Sequence, residues 1–505
     1  MTRRLFGLEL PFFVVAALCA VPIWRVAHPP IQDLPQHLAT VRALIDFHDP
    51  ALHFDDYYEI ALGRTQYLGY YLVTALLAKL VGVALANRFV ISAAIVGTPY
   101  AMRFLLRALG RDERAALLVL PLTWNAHLIL GFVNFVGAIP LALTALALAI
   151  RARESLTPKR GAALALVLVA AFYTHVVPFG FAALGAVAIL VGRDVRATAE
   201  RLLALVPAGL AALVWLLTSP AGKATLVAAR GHADAAGPQP IYVSAIESIQ
   251  QIPMWLTDVL TNDHDDRLLA AFGVLLLLAL TLPSGDRPAS PEVARARWVV
   301  ALLPAIAAIA YFVSPDSYDW IWPIHARFPL LALIFAIACV SLRPKVAGVA
   351  IPAIAAVLAI ASVREVDRAF VAFDTTEVGP LDEAIALIPR GERVVGLIWD
   401  RGSREVKFSP FLHAVAYYQV ARGGAVMFSF ADFPASPLPF REDARPPRVW
   451  PRWEWTPERV DVRAQLGWYR YALVRGGPGA IGAAPDVWRH LGDRGPWHVY
   501  RRIGP

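Results

Sequence analysis

Charge is scarce in this chain: 17% of its 505 residues are Asp, Glu, Lys or Arg and 57% are hydrophobic. Soluble globular proteins carry roughly 25% charged residues, so the composition excludes a cytosolic enzyme. Cysteine is nearly missing. Cys19 and Cys339 both fall inside apolar segments, so neither a disulfide framework nor a Cys-based metal site is supported. Leu18 precedes Cys19 where a lipoprotein site would want a small residue. Lysine is rare as well, at five of 47 basic residues, which together with abundant Ala points to GC-rich coding rather than to a function. There is no Gly-rich phosphate loop, dinucleotide fingerprint, HExxH or paired CxxC, so ATP or a sugar nucleotide is not the expected substrate. No internal repeat stands out.

Long apolar runs are what the chain does have. LFGLELPFFVVAALCAVPIW, residues 5–24, matches the ~20 apolar residues that cross a bilayer. The net charge of +8 would raise nucleic-acid binding in a soluble domain. Here the basic residues cluster in short loops between apolar runs, where they set orientation, and no nucleic-acid partner is expected. Arg3 and Arg4 ahead of the first run, without a cleavage signal, predict an uncleaved helix with its N-terminus inside. Further inside markers are Arg107, Arg111 and Arg114; Arg151, Arg153, Lys159 and Arg160; Arg193, Arg196 and Arg201; Arg287, Arg295 and Arg297; and Arg343 with Lys345. Between them lie apolar spans at 88–108, 115–131, 135–150, 162–191 (broken near His175 and Pro178), 202–218, 268–282, 298–313, 326–342 and 346–362. Residues 67–86 read as a helix dipping into or lying along the outer face. The expected architecture is a polytopic α-helical membrane domain over 1–362, with about eleven crossings and outer loops at 25–66 and 219–267.

Residues 363–505 turn polar and predict a soluble extracytoplasmic α/β domain. Helices are expected at 379–389 and 411–421, and strands at 393–399, 425–430, 469–475 and 497–502. A Pro- and Trp-rich loop at 446–460 carries Trp450, Trp453 and Trp455, which suit either stacking on sugar rings or packing.

Several loop residues carry chemistry. Asp33 and His37 are four apart in QDLPQH, so on a helix they share a side. Asp33 reads either as a base or as a helix cap ahead of Pro35. His37 reads as its orienting partner, a metal ligand or a phosphate contact. Asp55 and Asp56, and the run Asp263, His264, Asp265, offer oxygen and imidazole donors for a divalent metal such as Mg or Mn. As alternatives, the first pair is a solvated loop and the run is the acidic N-terminus of the next helix. Arg327 suits bidentate phosphate contact or snorkelling at a boundary, with His325 beside it. Asn125, His127, Asn134 and His175 sit at bilayer depth, where polar groups line a cavity or bond across helices.

The order of a first helix, a long outer loop with an early acidic residue, half-buried segments, a helical bundle and an outer C-terminal domain resembles the GT-C superfamily of membrane glycosyltransferases. Within it the chain looks most like bacterial relatives of protein mannosyltransferases and of the lipid A aminoarabinose transferases. The family's paired acidic motif is matched by Asp33 alone, with Pro35 and His37 in place of a second adjacent carboxylate. The resemblance implies an inner-membrane enzyme that inverts at the sugar and works on the outer face. It would draw on a polyprenyl-phosphate-linked sugar donor and a lipid, glycan or protein acceptor, with Asp33 as base and Arg327 at the donor phosphate. A secondary transporter and a non-catalytic envelope-assembly protein are the alternatives. Transport is disfavoured because the two halves show no repeated pattern of hydropathy or of broken helices.

Overall fold

The computed structural model describes residues 2–229, 239–282, 288–342, 347–447, 453–477 and 479–504. Arg287, Arg343, Lys345 and Trp450 lie outside them, as does part of the second outer loop. The protein is a polytopic α-helical membrane protein with a C-terminal sheet domain. It divides into two compact units. One comprises Met1–Ile23, Ile91–Leu128 and Phe132–Asp367, and the other Trp24–Val90, Ile129–Gly131 and Arg368–Pro505.

The first unit is helical. Among the described residues, five helices of the whole chain are long and apolar enough to cross a membrane: Val83–Ala108, Val133–Glu154, Val195–Thr218, Pro291–Val313 and Ala347–Val378. Val133–Glu154 is central, with 72% of its apolar stretch buried, whereas Val195–Thr218 has 6% buried and turns its leucines and valines outward. A continuous apolar face turned outward along a whole helix suits lipid rather than water, so this contrast separates core from periphery. The break in 162–191 falls at His175, between helices Pro158–Thr174 and Val176–Leu190. The span expected at 115–131 is not one helix. It is a 3-10 helix, Glu113–Leu122, followed after a turn by Ala126–Leu130. Asn125 fixes that turn, its amide donating to the carbonyls of Leu122 and Thr123 while its oxygen accepts from the amides of His127 and Leu128. Two short strands, β1 (Pro240–Ile241) and β2 (Ser317–Tyr318), pair antiparallel.

The second unit is built on a five-stranded sheet of β3 (Arg393–Ile398), β4 (Ala425–Val426), β5 (Tyr471–Arg475), β6 (Trp488–Arg494) and β7 (Trp497–Arg502). Their order is β4-β3-β5-β7-β6, with β3 parallel to β4 and β5, and β7 antiparallel to β5 and β6. Both faces are covered. Val394, Leu473 and Val499 join one apolar cluster with Phe373 and Phe411, and Val395, Ala472 and Tyr500 join another with Trp453 and Trp488. Burial on both sides explains why β3 and β5 read as unbroken apolar runs. The strand expected at 425–430 stops at Val426, because Phe428 takes a left-handed backbone with φ 59° that no strand accommodates. The helix expected at 411–421 spans only Ala416–Arg422, preceded by turns that carry Phe411 and His413 inward.

Segments from the first outer loop complete this unit. Helix Leu34–Ile45 packs against Ala416–Arg422 and against helix Gly69–Val81. Gly69–Val81 buries Tyr70, Tyr71, Thr74 and Ala78 and exposes Leu72, Val73, Leu76 and Leu80. Its thirteen residues rise about 20 Å, short of the ~30 Å hydrocarbon layer. Gly82, at φ 83°, ends it and separates it from Val83–Ala108.

His28 locks the start of this loop. Its ring lies 3.4 Å from Asp374 and 3.3 Å from Asp382, while the amides of Ala27 and His28 donate to the Asp374 carboxylate. Burial opposes the imidazolium, but the two carboxylates outweigh it and raise the pKa from 6.5 to about 9. A raised histidine pKa contributes stability that is complete below pH ~6.5 and lost as pH rises through ~9. Asp382 is 76% exposed, so screening trims the contribution to about 1–2 kcal/mol. The melting-temperature gap between wild type and His28→Gln should therefore be widest near pH 6 and close by pH ~10. A gap independent of pH would show that the carboxylates do not hold the imidazolium.

Candidate functional site

Asp33 stands at the start of helix Leu34–Ile45, with Pro35 in the first turn. It occupies the cap position, yet its side chain makes no cap hydrogen bond and its backbone is helical, at φ −90° and ψ −6°. The cap reading is therefore not realised. The carboxylate instead faces His413, whose Nε2 lies 3.4 Å from Oδ1, with the Gln32 amide 3.5 Å from the same oxygen. At 15% side-chain exposure it is screened from bulk water but reachable. His413 is the residue that sequence reasoning missed: the lone His in FLHAVAYY was absorbed into a helix.

The surroundings hold this carboxylate rigidly. The amides of Gln32 and Asp33 donate to the carbonyls of Ile129 and Leu130. The Gln36 side chain donates to Phe428 O and accepts from the Phe430 amide, pinning the turn after β4. His37 lies 2.8 Å from the Tyr71 hydroxyl through Nδ1 and 2.9 Å from Gly131 O through Nε2. A carbonyl can only accept, so Nε2 carries the proton and Nδ1 accepts from Tyr71. Burial depresses the His37 pKa to about 4, so the ring is neutral at ordinary pH. Both nitrogens are engaged, so neither is free for a metal or a phosphate in this arrangement. Its two contacts tie helix Leu34–Ile45 to Tyr71 and to the Gly131 loop beside Asp33.

Gly131 is where that loop comes closest. A Cβ there would meet the Asp33 Cβ at 2.8 Å and its amide nitrogen at 2.9 Å, on a backbone with φ 93°. Gly131→Ala therefore has to move the Asp33 backbone, at a cost of about 1–3 kcal/mol. Thermal unfolding of the full-length protein should show a lowered melting temperature, and an unchanged one would refute this close packing.

The residues that the sequence offers as metal ligands each have partners within the fold. Asp55 pairs with His48 and Asp56 with His53, all at the surface. Asp263 faces Arg267 and His264 faces Glu365. Asp265 is buried and accepts from the amides of Val259 and Leu260 at 2.7 Å each, a loop staple. Its ligand atom lies within 4.8 Å of those of Asp258 and Asp266, a group that could hold a metal ion. No second carboxylate stands with Asp33 in its contacts among the described residues. That donor set does not fit a hard divalent ion, which takes several carboxylate or carbonyl oxygens.

A second cluster lies in the first unit. Arg327 opens helix Arg327–Ile337, its guanidinium 5.3 Å from the Phe132 ring centroid. His127, fully buried, lies 3.1 Å from Ala326 O through Nε2 and stacks on Phe132. Phe135 sits between His127 and His175, at 4.8 and 5.3 Å. His175 caps Val176–Leu190 by accepting from the Val177 amide. Asn134 is buried on Val133–Glu154. His325 is spent on packing, stacked on Tyr311 and 3.3 Å from Asp316. A guanidinium over an aromatic ring is suited to a phosphate headgroup.

No family model and no curated protein matches the sequence. The fold does have a solved relative: ArnT from Cupriavidus metallidurans, in a structure with bound undecaprenyl phosphate. The likeness covers 99% of each chain with a TM-score of 0.55, at 11% identity. The GT-C architecture that the sequence resembles is thus borne out as a fold.

Proposed function

We propose that this chain is a glycosyltransferase of the bacterial inner membrane that takes its sugar from a polyprenyl-phosphate carrier. The observation that carries the reading is the likeness over 99% of both chains to ArnT, a protein solved with undecaprenyl phosphate. The fixed but reachable carboxylate of Asp33 supports it further. In the proposed reaction an acceptor hydroxyl loses its proton to Asp33 as its oxygen bonds to the anomeric carbon. The bond from that carbon to the phosphate oxygen breaks on the opposite face, which inverts the centre. Arg327 stabilises the charge gathering on the departing phosphate. The Gln32 amide and His413 hold Asp33 for the attack, and His37 fixes the neighbouring loop. The acceptor is a lipid, glycan or protein hydroxyl on the outer face.

Binding of undecaprenyl phosphate to the purified full-length protein, followed by native mass spectrometry, tests the donor class. Retention of the lipid phosphate over a neutral polyprenol is the expected result. Equal retention of both, or of neither, would overturn the reading.

A further inference from the structure

The β6–β7 hairpin carries a constellation that sugar transfer does not use. His490, Asp493 and His498 gather their ligand atoms within 4.8 Å of one another. Nε2 of His490 lies 2.7 Å from Asp493 Oδ1, and Nδ1 of His498 lies 2.6 Å from the same oxygen.

The backbone explains how they meet. Asp493 and His498 are directly paired across the two strands, so their side chains share a face. Residues three apart on a regular strand face opposite ways, and His490 would normally point away from Asp493. The ladder slips between His490 and Gly492. That bulge inserts one extra residue and brings His490 onto the face of Asp493. Tyr500, opposite His490, supports its ring at 5.0 Å. Arg489, Arg494 and Arg501 occupy the alternate positions of the two strands, so the register assigns their side chains to the other face. Arg502, the one arginine of the two strands that the register leaves on the cluster's face, lies over the Trp488 ring and donates to Arg463 O.

From this we infer that His490, Asp493 and His498 form a binding site for a borderline divalent transition ion, best matched by Zn2+, on the edge of the C-terminal sheet. Two imidazoles and one carboxylate are a recurrent Zn2+ set, with metal–ligand distances near 2.0–2.2 Å that place tetrahedral ligand atoms ~3.3 Å apart. The hairpin holds each imidazole nitrogen within 2.7 Å of the Asp493 oxygen and all three donors within 4.8 Å of one another, close to that spacing. His490 and Asp493 are exposed, at 45% and 54%, leaving the fourth position to water. Binding exchanges the shared protons for the metal: each ring gives up any proton on its coordinating nitrogen to solvent, and Asp493 stays ionised. The ion would tie β6, the outermost strand, to β7, covering the need of an edge strand for restraint.

The test uses the untagged full-length protein in detergent, stripped by chelation, and titrated with Zn2+ against a chromophoric chelator. Wild type is compared with His490→Ala, Asp493→Asn, His498→Gln and the control His264→Ala. One equivalent of Zn2+ that loses at least tenfold in affinity in each of the three ligand variants, but not in the control, is the expected result. Circular dichroism of the Asp493→Asn variant checks that the hairpin is retained, and Co2+ substitution should give the absorption band of a four-coordinate site in wild type only. Zn2+ bound equally by wild type and all three variants, or no equivalent bound by wild type, would overturn the assignment.

Discussion

Asp33→Asn should lower sugar transfer by about 10²–10⁴-fold, the range expected when a general base is removed, while leaving the protein folded. The substitution is isosteric, and the amide oxygen can still accept from His413 and the Gln32 amide, the two contacts that Asp33 makes. Because the side chain makes no cap hydrogen bond, helix Leu34–Ile45 loses nothing by the change. A residue serving as a cap would behave in reverse, costing ~1 kcal/mol of stability on replacement and little rate. Asp33→Glu separates charge from position: it restores a base but moves it by about one methylene, so it should recover transfer only in part. Activity in Asp33→Asn equal to wild type, at equal expression, would remove Asp33 from the chemistry.

Arg327→Ala should weaken undecaprenyl phosphate binding at least tenfold and slow transfer by about 10²–10³-fold, the usual cost of losing one group that stabilises developing negative charge. The cation–π contact with Phe132 at 5.3 Å is worth only roughly 0.5–1 kcal/mol, far less than that loss of rate represents. Turnover and lipid binding should thus fall by much more than the melting temperature of the variant accounts for. Arg327→Lys keeps a point charge without the planar fork, so it should recover binding more than rate. If Arg327→Ala binds the lipid phosphate as tightly as wild type, the residue serves only to anchor the helix end.

Reading the sequence reached the architecture and part of the site for identifiable reasons. Apolar length and the placement of Arg residues exposed the helical domain. Strands β3, β5 and β7 announce themselves because both faces are buried or alternate cleanly. Strand β6 was not found, since WRHLGDR is an edge strand whose middle residues are exposed and whose bulge breaks the period-two pattern. The short β4 and the delayed helix at Ala416 follow from tertiary demands, the left-handed Phe428 and the turns that bring Phe411 against Phe373 and Trp497. Neither leaves a local mark in the sequence.

The site was legible where a residue's neighbours in sequence are also its neighbours in space. Asp33, ahead of Pro35 at a helix start, met that condition. His413 and Tyr71 did not, because packing of Ala416–Arg422 and Gly69–Val81 against Leu34–Ile45 brings distant segments together. Adjacency in sequence is not convergence in space, and the acidic runs at 55–56 and 263–266 differ in this respect. Asp55 and Asp56 turn toward His48 and His53, and Asp263 and His264 toward Arg267 and Glu365, whereas Asp265 and Asp266 gather with Asp258.

The most direct measurement is mass spectrometry of envelope glycolipids and glycans from a deletion strain, complemented with wild type or with Asp33→Asn at matched expression. The account predicts that one sugar increment disappears on deletion, returns with wild type and stays missing with Asp33→Asn, the mass naming the sugar. Full restoration by Asp33→Asn, or a deletion that changes no glycan, would contradict it.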